Sequence, residues 1–141
     1  MSSSLLKYTA CFSRLVAKDF QPIAITRPAV LISLTDPNSQ APELNGNWDD
    51  IIALQIPDNL DLKDEDRQKL SQIYDFILHY RNGSIFAHCE AGISRSGAMR
   101  EFLSRCGWII YPIFRSWQTF PNPSMLSVLS ALNRANTKDP L

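Results

Sequence analysis

The sequence predicts an α/β fold built on one mostly parallel sheet, and three observations carry that expectation. Strand-like and helix-like segments alternate along the 141 residues without an internal repeat. The strand-like segments are near-continuous apolar runs rather than polar–apolar alternations, as in strands covered on both faces. The helix-like segments each carry one apolar stripe at helical spacing, which gives each a face to lay on a sheet. The expected architecture is a three-layer sandwich, a central sheet of about four to five strands flanked by helices. The length fits a single domain spanning 1–141.

In chain order, Tyr8-Thr9-Ala10-Cys11-Phe12 reads as a first short strand. Ala29-Val30-Leu31-Ile32-Ser33-Leu34 is a β-branched apolar run closed by the turn residues Thr35-Asp36-Pro37-Asn38. Ile51-Ile52-Ala53-Leu54-Gln55-Ile56 is a third strand, halted by Pro57, and Ser84-Ile85-Phe86-Ala87-His88 a fourth. Between these last two, Leu70, Ile73, Tyr74, Ile77 and Leu78 form one helical stripe. Asp61 is its expected cap, Asp64, Glu65 and Asp66 suit the positive end of the helix dipole, and Asn82-Gly83 ends it. Met99, Phe102, Leu103 and Cys106 repeat the spacing from Ser96 to Gly107. Met125, Val128, Leu129 and Leu132 form the last stripe, with Asn122 as N-cap and Pro123 in the first helical position. Trp108 to Phe120 is apolar, broken by Pro112, and carries neither period.

Composition narrows the function. Hydrophobic residues at 45% and charged residues at 20% suit a globular core and not a disordered chain. Fourteen basic residues balance fourteen acidic ones, which argues against partners held by bulk charge, so neither nucleic acid nor an anionic membrane surface is expected. No apolar run of ~18 residues offers a membrane span. The opening Met1-Ser2-Ser3-Ser4-Leu5-Leu6-Lys7 lacks the build of a secretory signal. Cys11, Cys89 and Cys106 are too few and scattered for a disulfide framework, so a cytoplasmic location with free thiols is expected. His79 and the cysteines have no metal-ligand spacing, and no metal is expected.

The chemistry is concentrated in His88-Cys89-Glu90-Ala91-Gly92-Ile93-Ser94-Arg95-Ser96, between the fourth strand and the helix that follows. Cys-x5-Arg alone is weak: three cysteines and nine arginines in 141 positions give about 0.2 chance matches. Requiring the adjoining His, the central Gly and the following Ser lowers the expectation to about one in 10⁵. This spacing suits a phosphate cradle. The backbone N–H groups of Glu90 through Arg95 can turn into one concavity and bind anionic oxygens. Gly92 allows the close backbone approach, and the helix aims its positive end at the same point. Arg95 offers a planar fork to two phosphoryl oxygens. The same field favours the thiolate of Cys89, the form that acts as nucleophile.

His-Cys-x-x-Gly-x-x-Arg-Ser resembles the signature of the cysteine-dependent protein tyrosine phosphatases, in the form carried by the compact dual-specificity-like bacterial and viral members. Val30-Leu31-Ile32-Ser33-Leu34-Thr35-Asp36-Pro37, Leu54-Gln55-Ile56-Pro57-Asp58 and Phe120-Pro121-Asn122 resemble that family's second strand, acid-loop strand and last-helix opening. Together they cover most of residues 28–132, although only the cysteine loop is specific by itself.

The resemblance implies roles residue by residue. Cys89 is the nucleophile that becomes a phosphocysteine, Arg95 binds phosphate and steadies the transition state, and Ser96 eases departure of the thiolate. His88 orders the loop. Asp58 is the general acid, with Asp36 and Asp61 as alternatives: many dual-specificity members carry their acid two residues after Ile-Pro-Asp, where this chain has Leu60. Glu90, Ala91, Gly92, Ile93 and Ser94 complete the phosphate-binding loop with Arg95. The implied activity needs no cofactor. It hydrolyses a phosphorylated protein or peptide, with phosphate or vanadate as active-site anion, in a monomer.

Phosphotyrosine is the expected substrate, with phosphoserine and phosphothreonine left open. Two rival readings remain: a phosphate-binding pseudophosphatase that recognises phosphorylated partners, and a rhodanese-like Cys-loop enzyme. Asp61 reads more readily as a helix cap and Asp36 as a turn residue. Cys11 and Cys106 read as core.

Overall fold

The computed structural model describes residues 6–141, so the first five residues of the N-terminal stretch read above lie outside the described part. Five strands form one sheet in the order β3-β2-β4-β1-β5, and every neighbouring pair is parallel. They are β1 (Tyr8–Ser13), β2 (Ala29–Thr35), β3 (Asp50–Gln55), β4 (Ser84–Cys89) and the two-residue β5 (Ile109–Ile110). Four helices alternate with them: α1 (Arg14–Asp19), α2 (Asp64–His79), α3 (Arg95–Arg105) and α4 (Pro123–Ala135). The chain is an α/β protein with a single parallel sheet flanked by helices. Among the described residues no helix is long and apolar enough to cross a membrane.

The apolar runs behave as covered strands where the sheet is central. Every residue of β2 and β4 is buried. On one face Val30, Ile32, Leu34, Ile85 and Ala87 meet the stripes of α2, α3 and α4, including Ile73, Ile77, Met99, Leu103 and Leu129. On the other face Leu31 and Phe86 join Phe12, Ala17 and Phe114, with Phe20 and Trp48 packed against them. At the sheet edge the expectation of full cover fails. In β3, Ile52 and Leu54 pack against the α2 side, but Ile51, Ala53 and Gln55 are exposed because no element covers their face.

Several boundaries differ from the sequence reading for physical reasons. Asp61 does not cap α2: the N-cap is Lys63, and the buried Asp66 reaches back to accept from the Lys63 N–H at 3.1 Å. That helix ends at His79, short of Asn82-Gly83, and the turn closes through Gly83 N–H to Tyr80 O. The apolar, aperiodic stretch resolves into β5 and a 3₁₀ turn over Pro112–Phe114. Helix α1, which has no apolar stripe, starts on Ser13, whose hydroxyl accepts from the Val16 N–H. Asn122 caps α4 and Pro123 opens it, as the sequence indicates. Cys106 is half-buried at the end of α3, packed against the margin of the core.

The sheet order positions the site. β4 lies between β1 and β2, so the carboxyl ends of three strands stand side by side, with Ser13 in register with Cys89. In parallel sheets ligands bind beyond these ends, where neighbouring strands lead away in different directions.

Candidate active site

The segment from Cys89 to Arg95 leaves β4 and enters α3, and its shape is fixed from outside by its carbonyl groups. Glu90 O accepts from Arg14 N–H (3.2 Å), Ile93 O from Phe120 N–H (3.2 Å) and Ser94 O from Asn122 N–H (3.0 Å). Gly92 O accepts from the Trp117 indole at 3.2 Å and from the Cys11 thiol at 3.7 Å. A trans peptide points its N–H opposite to its C=O. Turning these four carbonyls out to the scaffold therefore turns the N–H groups of Ala91, Ile93, Ser94 and Arg95 inward. Among the described residues none of these N–H groups has a partner.

Glycine is required at position 92 twice over. Its φ is +74°, and a Cβ there would stand 2.5 Å from the Phe12 carbonyl carbon and the Ser13 nitrogen. The loop thus rests directly on the backbone of β1. Ser94 occupies the N-cap position of α3, but its hydroxyl makes no capping bond; it donates to Asp58 Oδ1 at 2.8 Å. The first N–H groups of α3 stay available to an anion, at the positive end of the helix dipole.

Arg95 is 5% exposed. Its Nη1 donates to Asp36 Oδ1 (2.6 Å) and to Ile56 O (2.9 Å), while its buried Nε has no partner among the described residues. An unpaired buried guanidinium nitrogen costs on the order of 1–3 kcal/mol or more unless a ligand takes it. Nε and Nη2 lie on one edge of the guanidinium, which gives an oxyanion two parallel donors.

Asp36 opens the turn that the sequence indicates, its carbonyl accepting from the Ser39 N–H at 3.1 Å, and its carboxylate in addition orients this fork.

The thiol of Cys89 is nearly buried and lies 3.1 Å from the Ser96 hydroxyl. His88 is fully buried beside it. Its Nε2 is 2.7 Å from the Ser33 hydroxyl and its Nδ1 is 3.3 Å from Cys89 O. Burial holds the imidazole pKa below its ordinary value, so the ring is neutral. The tautomer that satisfies both contacts has Nδ1–H donating to Cys89 O and Nε2 accepting from Ser33. Ser33 is a site residue that sequence reasoning missed; its only signal is a hydroxyl in an apolar strand. Cys11 lies beneath the loop, where burial pushes its thiol up to about 11, which leaves it protonated and inert.

The structure brings Asp58 to the loop and leaves Asp61 exposed outside it. Asp58 Oδ1 accepts from both Ser94 Oγ and Asn122 Nδ2, each at 2.8 Å. Glu90 is paired with Arg14 at 3.1 Å. Of the acidic residues named here, Asp58 therefore meets the loop without a cationic partner. Two exposed large apolar residues belong to the loop or adjoin it: Ile93 (38%) on the loop, and Phe120 (74%), whose N–H bonds Ile93 O.

The arrangement can do three things at one point: receive an oxyanion on inward N–H groups and a guanidinium edge, attack it with a thiol, and exchange a proton with a carboxyl group. No protein-family model matches the chain, and no curated protein matches it.

Proposed function

We propose that the protein is a phosphoric monoester hydrolase of the cysteine-dependent tyrosine phosphatase type, acting on phosphorylated protein or peptide. One observation carries this reading: the loop that follows Cys89 has unpartnered N–H groups turned away from its outward-bonded carbonyls, and the buried Nε of Arg95 at its end has no partner among the described residues. Few ligands other than a tetrahedral oxyanion use that many convergent donors.

In the first step the Cys89 thiolate attacks phosphorus in line, the ester P–O bond breaks, and its electron pair stays on the leaving oxygen. Asp58 supplies the proton that neutralises that oxygen. In the second step water attacks phospho-Cys89, and the Asp58 carboxylate takes its proton. The S–P bond breaks, and the departing thiolate accepts a hydrogen bond from Ser96. Arg95, oriented by Asp36, and the loop N–H groups hold the three equatorial oxygens throughout. No step calls for a cofactor. Exposed Ile93 on the loop and Phe120 beside it support an aromatic ester, phosphotyrosine, as the favoured substrate, since exposed apolar groups gain by covering a ring.

The test is hydrolysis of nitrophenyl phosphate and a phosphotyrosine peptide by the purified chain, blocked by vanadate and lost in Cys89→Ser. An alcohol of high pKa cannot supply the anion a thiol can, whereas the oxyanion donors remain, so Cys89→Ser should still bind vanadate. Phosphate binding by a wild-type protein that turns over neither ester would leave a recognition module instead. Turnover surviving in Cys89→Ser would remove the nucleophile assignment.

A further inference from the structure

We propose that Asn122 is a positioning residue for the general acid, its one side-chain amide divided between capping α4 and holding Asp58 against the loop. The oxygen performs the structural task, accepting from the N–H groups of Ser124 (3.0 Å) and Met125 (3.1 Å). The nitrogen performs the other, donating to Asp58 Oδ1 (2.8 Å) and to Asn59 O (3.0 Å). Asn122 itself is 2% exposed, whereas the Asp58 it meets is exposed, so the contact joins a shielded donor to an open carboxyl group. A cap needs only the oxygen, and Ser, Thr or Asp supplies one equally well. The bonds made by the nitrogen are specific to an amide at this position.

The acid segment depends on them. Residues 58–61 are exposed and belong to no helix or strand, and the nearest core anchors are Ile56 and Leu62 on either side. The opening turn of α4 binds this segment again through Ser124 Oγ to Leu60 O at 2.5 Å. Ser94 adds the link from the phosphate loop itself. Both donors to the Asp58 carboxyl use Oδ1. In the acid form the proton therefore sits on Oδ2, and that oxygen is left to serve the leaving group. The inference rests on the phosphatase reading, because it gives the contact a task within that reaction.

Asn122→Ser separates the two tasks, since a Ser hydroxyl still caps a helix but offers no amide nitrogen to the carboxyl. It should cut kcat on a phosphotyrosine peptide about 10- to 100-fold with KM little changed. Nitrophenyl phosphate, whose leaving group needs less protonation, should lose about threefold or less, and Tm should stay within about 3 °C. Asn122→Asp should behave in the same way and more severely, because it keeps the cap and puts a carboxylate against Asp58. Equal losses on both substrates, or losses that track a falling Tm, would make Asn122 a cap only and overturn the proposal.

A second measurement is independent of turnover. The side-chain amide resonances of Asn122 in NMR spectra should move in Asp58→Asn and in Ser94→Ala, and if they stay in place the contact does not exist. Wild-type protein inactive on both esters would overturn the phosphatase reading and the positioning role with it, and the amide resonances would still report whether the contact forms.

Discussion

The loop of the proposed nucleophile and the segment of the proposed acid meet through Ser94 and Asp58, yet they are held in different ways. The loop from Cys89 to Arg95 is bounded by β4 and α3, rests on β1 at Gly92, and has its carbonyls bonded to Arg14, Trp117, Phe120 and Asn122. Its form is fixed mainly by backbone, with the Trp117 indole and the Cys11 thiol added at Gly92 O. The acid segment has no regular structure, and hydrogen bonds from Ser94, Asn122 and Ser124 hold it in place. Its position is fixed by side chains from distant parts of the chain. Changes in the loop should therefore remove chemistry outright, whereas changes at the acid should depend on how much the substrate needs a proton.

Arg95→Lys should give the largest effect after loss of the nucleophile. The native guanidinium holds Asp36 and Ile56 O with one nitrogen and keeps an edge free, and a lysine ammonium cannot do both. Turnover should fall by about 10²-fold or more, and a loss under tenfold would show that the fork does not serve the transition state.

Asp58→Asn sharpens the contrast. It should cost ~10²–10⁴ on a phosphotyrosine peptide, distinctly less on nitrophenyl phosphate, and remove the alkaline limb of the pH–rate profile. Asp61→Asn is the control: this exposed residue caps nothing, so stability should change by no more than about 0.5 kcal/mol and the limb should persist. If Asp61 or Asp36 shows the leaving-group-dependent loss instead, the acid is misassigned.

Ser96→Ala should affect the second step more than the first, because its hydroxyl meets the thiol that must depart. Rapid mixing should show a burst of phenol followed by a slow steady state. Equal slowing of both phases would reduce Ser96 to a packing residue.

The smallest effect concerns pH and stability. The pKa of His88 is depressed by burial in the folded chain and returns to ~6.5 in the unfolded one. Below ~6.5 the unfolded state binds the proton first, so stability should decline as pH falls through that value toward the folded pKa. Tm measured from pH 7.5 to 5 should show this decline, and His88→Asn should flatten it relative to wild type. An unchanged slope would mean that other groups carry the acid sensitivity.

What could be read in advance follows the distance between partners along the chain. The cysteine loop is contiguous, so His88 to Ser96 announced its geometry through spacing alone. The buried strands β2 and β4 announced themselves as apolar runs. Asn122 was legible only as a cap, because its oxygen serves neighbours in α4 while its nitrogen serves Asp58, 64 residues earlier. Ser33 and His88 are 55 residues apart, and Asp36 and Arg95 59, so neither pairing leaves a local trace. The sequence indicates Asp61 as the cap of α2, whereas Asp66, within the helix, satisfies the Lys63 N–H from the other side. The composition of β3 resembles that of β2 and so indicates a covered run; only the strand order makes it an edge.

That edge bears on how the molecule opens. β4 is hydrogen-bonded on both sides and buried throughout, so its amides should exchange with solvent hydrogen only when the whole domain unfolds. β3 has one ladder and one bare face, and a local excursion that releases it breaks far fewer contacts. The proposed nucleophile thus follows the strand expected to exchange slowest, and the proposed acid follows an edge strand expected to exchange faster. In the proposed reaction, brief detachment of β3 would disturb proton delivery and would also loosen Arg95, which donates to Ile56 O at the end of that strand.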